Sequence, residues 1–164
     1  MGFVNFRQKI LTWEALPQWR AKLKAEAKQL VVTNGCFDLL HLGHVTYLEK
    51  ARDLGDALLI GLNGDQGLRE LKGPNRPINS QDDRAMVLAA LESVTAVCIF
   101  NERTATRFLS QAQPDIYVKG GDYTLETVNQ EERQMVEKSK GRIAFIPFVP
   151  GKSTTELLKK IARL

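Results

Sequence analysis

Short apolar runs alternate with helix-patterned segments along almost the whole chain, and that order restricts the fold more than any other feature. Five runs read as strands, at residues 29–33, 57–62, 94–100, 115–118 and 142–147. Helical spacing follows them at 45–54, 80–92, 104–112, 126–140 and 154–164. The runs are nearly continuous in apolar residues and the connections are short, which predicts a parallel five-stranded sheet with helices on both faces. Residues 12–28 are also helix-patterned, with Trp13, Leu16, Trp19 and Leu23 on one side and a start or kink at Pro17. That face has two possible uses, against the domain itself or in a homodimer. Residues 67–79 contain Gly73, Pro74 and Pro77 and are predicted to be mostly a mobile loop. No repeat or low-complexity linker divides residues 1–164, so one domain is expected.

Composition excludes several classes. A net charge of +4 on 164 residues suits a small anionic ligand, and no aromatic-studded basic stripe argues for nucleic acid. Cys36 and Cys98 have neither a disulfide framework nor a metal-ligand spacing, as for reduced thiols in a cytoplasmic protein. The N-terminus has no apolar core of a leader, and no run approaches bilayer length, so no membrane partner is expected.

Ligands bind such sheets beyond the carboxyl ends of the strands, and the chemistry-bearing motifs fall there. After the first strand comes the run from Gly35 through Cys36, Phe37 and Asp38 to His41, Gly43 and His44, which opens a helix. Both histidines of the chain lie in this motif, three apart around a glycine. Free N–H groups at a helix start attract phosphate, and imidazoles there can donate to oxygens as charge builds. Zinc is the rival reading, but no third ligand segment is present, so no metal-ligating residue is assigned. Before the last helix, Gly151-Lys152-Ser153-Thr154-Thr155-Glu156 resembles a Walker loop at first sight, but Ile146 stands where that loop needs its first glycine. A cap by Ser153, together with an anion cradle, is expected instead.

Lys72 lies in the basic segment 69–76, where surface solvation is the plain alternative to a role at the site. Arg84 opposes the dipole of the helix it begins, which calls for an anionic ligand or for Asp82 or Asp83 as partner. Lys119-Gly120-Gly121-Asp122 follows the fourth strand. Paired glycines allow close backbone approach there, and Asp122 is either a ligand contact or an exposed turn residue. Cys36 reads as a small buried filler.

These segments together resemble the cytidylyltransferase-like nucleotidyltransferases, a resemblance covering nearly all of the chain after Leu30. It implies a Rossmann-like fold, with ATP and Mg²⁺ as cosubstrate and cofactor. It also implies that His41, His44 and Lys72 serve catalysis, Lys72 from a mobile loop. Asn34, Gly35, Cys36, Phe37, Asp38, Gly43, Arg84, Lys119, Gly121, Asp122, Ser153, Thr154 and Thr155 would then line the nucleotide. Residues 1–28 match a helical N-terminal extension of stand-alone members. The Asn-Gly-Cys-Phe-Asp, Leu-Lys-Gly-Pro and Lys-Gly-Gly-Asp-Tyr segments point to the branch acting on a heptose 1-phosphate. Phe148-Val149 stands where relatives that use CTP on glycerol 3-phosphate carry an Arg-Thr pair, which favours ATP, because polar groups that would match a cytosine are missing. A CTP-dependent enzyme and a non-catalytic nucleotide-binding module are the competing expectations.

Overall fold

The computed structural model describes residues 5–164; the first four residues of the expected N-terminal extension lie outside it. A 3₁₀ turn at Phe6–Lys9 leads into β1 (Ile10–Leu11), then α1 (Leu16–Ala25), β2 (Leu30–Gly35), α2 (Leu42–Arg52) and β3 (Ala57–Asn63). Next come α3 (Asp65–Lys72), α4 (Gln81–Ala89), β4 (Ala96–Phe100), α5 (Thr106–Ala112) and β5 (Ile116–Gly120). The chain ends with α6 (Gln130–Lys138), β6 (Arg142–Ile146) and α7 (Thr154–Ile161).

The sheet has six strands, all parallel, in the order β1-β4-β3-β2-β5-β6. The parallel α/β architecture follows the sequence pattern; the count of five does not. The additional strand, β1, is two residues long and pairs Ile10 with Val97 and Leu11 with Cys98. A pair of residues is too short to show any periodicity.

Alternate residues of β2 and β3 enter two separate cores, as a doubly covered sheet requires. On one face Leu30, Val32 and Leu59 pack with Leu16 and Leu23 of α1, Phe108 and Leu109 of α5 and Val136 of α6. On the other, Val31, Leu58, Ile60 and Leu62 pack with Leu48 and Ala51 of α2 and Leu88 of α4. Trp13 and Trp19 pack against the first of these cores and are partly buried there.

Arg20 ties α1 to the sheet. Its side chain is almost fully buried, and its Nη2 donates to both carboxylate oxygens of Asp115 at 3.0 Å while Nε donates to the Gln113 carbonyl at 3.1 Å. Asp115 also accepts from the Leu30 N–H at 2.7 Å, so one carboxylate joins the starts of β2 and β5 to α1. Arg20→Ala is expected to lower the unfolding free energy by about 2 kcal/mol, discounted because Asp115 is partly exposed; urea denaturation measures it.

Where a mobile loop was expected at 67–79, the chain forms α3 as far as Lys72. Glycine at 67 is tolerated because a Cβ there would press on the Asn101 carbonyl at 3.0 Å, so the helix lies close on the loop after β4. The true loop begins at Gly73 and is held by Asp38, as described below.

Candidate active site

The strand order changes direction at β2, whose neighbours are β3 on one side and β5 on the other. A crevice at the carboxyl end of such a switch point is where ligands settle on open α/β sheets. β2 extends through Asn34 and Gly35, two residues beyond the predicted strand, and carries both to this edge.

His41 is the N-cap of α2, in extended conformation (φ −142°, ψ 170°), and makes no side-chain cap bond. Its carbonyl accepts from His44 N at 2.9 Å and Val45 N at 3.2 Å. The helix turn stacks the two imidazoles, with centroids 3.9 Å apart and planes 25° from parallel. Phe37, at φ +43°, packs its ring 5.2 Å from that of His44. A Cβ on Gly43 would lie 2.9 Å from His41 Nδ1 and 3.1 Å from Lys152 Cβ, so glycine is what lets the ring and the lysine close over the backbone. Nδ1 of His41 and Nδ1 of His44 are both buried without a hydrogen-bond partner.

The same contact brings the start of α7 against the start of α2. Ser153 caps α7 by accepting from Glu156 N at 3.1 Å, as expected, and Thr154 Oγ1 donates to the Leu39 carbonyl at 3.4 Å. Two helix starts, two imidazoles, Lys152 and the hydroxyl pair thus converge on one corner of the sheet edge. Thr155 is exposed beside them.

Burial, and then the adjacent His41, push the His44 imidazole down to about 4, with the Leu39 carbonyl acting in the opposite sense. Burial and the charge of Lys152 lower His41 as well. A folded-state value below the unfolded 6.5 means that the unfolded chain takes up the proton first. The contribution of neutral His44 is therefore complete above pH 6.5 and is lost as pH falls toward 4. We expect stability to drop across that window, and His44→Gln to flatten the drop; denaturant titrations at pH 7 and pH 4.5 measure both.

Other expected contacts are committed within the protein. Asp38 is nearly fully buried, accepts from Ile78 N at 2.9 Å and Asn79 N at 3.1 Å, and lies 2.7 Å from Arg76 Nε. Its carboxylate anchors the loop after α3. Arg84 is engaged in the same way. Its side chain is fully buried, with Nε donating to the Asn79 carbonyl at 3.1 Å, Nη1 to the Cys36 carbonyl at 2.5 Å and Nη2 to Asp65 at 2.9 Å. The partner is Asp65, not Asp82 or Asp83, and the arginine braces β2 against α3 and α4. Cys36 is only partly buried, and that burial raises its thiol, opposed first by the charge of Lys72. Lys72 itself ends α3 and is exposed.

On the far side of the switch point, Lys119 has a side chain 15% exposed, and its ammonium meets Asn34 Oδ1 at 3.2 Å, the Tyr117 hydroxyl at 3.0 Å and Glu132 Oε2 at 3.2 Å. All three of its donors have partners within the protein. Gly121 (φ +105°) lies under the Phe148 ring, which a Cβ would approach to 2.4 Å. Phe148 is 68% exposed and Tyr123 45%, two open aromatic faces at the same edge. Asp122 is exposed.

Tyr117, Glu132 and Asp65 were not singled out from the sequence. Glu132 left a trace: with Met135 and Val136 it shares the inward stripe of a helix, an unusual place for a carboxylate. Among the described residues no group of three or more His, Cys, Asp or Glu could hold a metal ion, and no helix is long and apolar enough to cross a membrane.

A parallel sheet with a phosphate-compatible helix start at its switch point defines a nucleotide-handling α/β domain. The cytidylyltransferase-like family profile matches residues 32–159, and the chain belongs to that family of nucleotidyltransferases. Over 153 residues it is 48% identical to the bifunctional protein HldE of Trichlorobacter lovleyi and 50% identical to that of Geotalea uraniireducens, matching 93% of this chain and 31% of each relative. The chain thus spans about a third of the length of these relatives. Among solved structures, a lipopolysaccharide core biosynthesis protein from Thermoplasma volcanium superposes with a TM-score of 0.61 at 24% identity, over 74% of this chain and 97% of that one. Pantoate-beta-alanine ligase from Francisella tularensis, complexed with β,γ-ATP and β-alanine, gives 0.55 at 12% identity, over 94% and 78%. At these identities the two structures speak to the fold.

Proposed function

We propose that the chain transfers AMP from ATP to a sugar 1-phosphate, with D-glycero-β-D-manno-heptose 1-phosphate as acceptor, releasing pyrophosphate and forming an ADP-sugar. The observation that carries this reading is the stacked His41–His44 pair at the start of α2, with a buried Nδ1 on each ring unpartnered in the protein. Those Nδ1 atoms are closed to a ligand, so the ring nitrogen left to meet a phosphate oxygen is Nε2 of each histidine. A neutral imidazole still donates one hydrogen bond, so the low value of His44 does not disarm it.

The reaction is an in-line displacement at the α-phosphorus. A phosphate monoester is mostly dianionic at neutral pH, so the acceptor attacks without a general base. Catalysis then consists of holding two anions in line and offsetting the charge that builds on transfer. His41 and His44 donate to the α- and β-phosphate oxygens, Lys152 and the start of α7 add positive potential, and Lys72 closes from the end of α3. Thr154 ties the start of α7 to the Leu39 carbonyl ahead of α2, and Ser153 caps α7. With Asp38 engaged and no cage of ligands among the described residues, Mg²⁺ belongs to the incoming triphosphate complex.

Phe148 offers a stacking face and no polar edge, which supports adenine over cytosine. Residues 1–164 act as one unit on this reading, since β1 joins the common sheet and α1 joins its core. Mass spectrometry of products from ATP or CTP with a panel of sugar 1-phosphates tests the assignment. ADP-heptose from ATP is expected; turnover with CTP alone, on a polyol phosphate, would replace it, and turnover with neither would leave a nucleotide-binding module.

A further inference from the structure

Glu132 is a buried carboxylate that the proposed reaction does not use. It is 5% exposed on α6 and accepts only from donors: Ala105 N at 3.0 Å on Oε1, and on Oε2 the Tyr117 hydroxyl at 2.9 Å and Lys119 Nζ at 3.2 Å. Lys119 passes the contact on to Asn34 Oδ1 at 3.2 Å, while the Tyr117 hydroxyl, 2.6 Å from the same atom, has one proton to divide between Asn34 Oδ1 and Glu132 Oε2. An ammonium cannot accept a hydrogen bond, so the Asn34 atom facing it must be the amide oxygen. The direction of the amide is thereby fixed, with its nitrogen turned away from Lys119. Asn34 is the penultimate residue of β2, next to β5, and only partly buried.

We infer that Glu132 is a positioning residue: through Lys119 it holds the Asn34 amide with its oxygen inward and its two N–H donors toward the switch-point crevice, to bind a phosphate oxygen. The inference rests on the nucleotidyltransferase reading. The phosphate belongs to the triphosphate or to the acceptor, and the two are separable.

Calorimetry on the full chain with Mg²⁺ and α,β-methylene ATP, and separately with a hexose 1-phosphate, supplies the test, with thermal unfolding measured alongside. Asn34→Asp keeps an oxygen toward Lys119 but replaces the outward donors by a carboxylate oxygen. It is expected to weaken by about tenfold to a hundredfold whichever probe has its phosphate there, while unfolding stays at or above the wild-type temperature. Glu132→Gln sets an amide against three donors and weakens the same binding. In an Asn34→Ala background that binding loss disappears although its thermal cost remains, because the effect runs through Asn34. Equal binding losses in both backgrounds, or an Asn34→Asp variant that binds both probes as tightly as wild type, overturn the inference alone. Wild-type protein that binds neither probe overturns the parent reading with it. Should Glu132→Gln fail to fold, Asn34→Asp decides by itself.

Discussion

Replacing His44 by Ala lowers turnover by about 10²–10³ while the protein stays folded, as for the loss of a donor aimed at charge that develops in the transition state. The ring touches His41 on one side and Phe37 on the other, and it is partly open, so its removal disturbs packing less than chemistry. The loss should fall mainly on kcat, since ground-state contacts from Lys152 and the start of α7 remain. Steady-state pyrophosphate release checks this, with circular dichroism to establish the fold. Near-full turnover in a folded His44→Ala protein would remove the histidines from the mechanism.

Arg84→Met has the second large effect, and on stability rather than on substrate. The side chain is fully buried, and three partners lose their donor when it goes: Asp65 and the carbonyls of Asn79 and Cys36. Breaking a buried charge pair by removing one member costs about 3–5 kcal/mol. Denaturant unfolding measures the loss. An arginine that instead bound an anion at the site's edge would leave stability near wild type and raise the KM for the triphosphate, so the two roles give opposite patterns.

The same residue shows how sequence reasoning reached its limit here. A cation in the first turn of a helix does mark an unusual demand, and it was legible at Arg84. The answering charge, Asp65, lies 19 residues away and on another helix, and no local pattern points to it. Asp38 is a related case: it sits inside the most informative motif, and the backbone N–H groups it accepts from lie 40 and 41 residues on, where no local pattern points to them. Glycine and proline near the end of α3 concealed that helix, because turn residues signal where a helix stops and not where it starts.

Other features were readable because they are local. The apolar runs of β2 and β3 announced a sheet buried on both faces, and Ser80 and Ser153 mark helix starts with side-chain caps of the usual kind, whereas the helix expected from residue 126 starts only after its Asn129 cap. The histidine motif was readable because the chain has only two histidines and places both at one helix start. Its depth was not: that Gly43 admits both the His41 ring and Lys152 follows from α7 packing on α2, a contact between segments more than a hundred residues apart.

Because the two histidines are the only ones, imidazole signals in a ¹H–¹⁵N spectrum report on the proposed site and on nothing else. Titration with Mg²⁺ and α,β-methylene ATP should shift the ring nitrogens of both residues together, at the concentration where calorimetry saturates. Saturation of the protein with both imidazoles unmoved would place the triphosphate elsewhere and contradict the account.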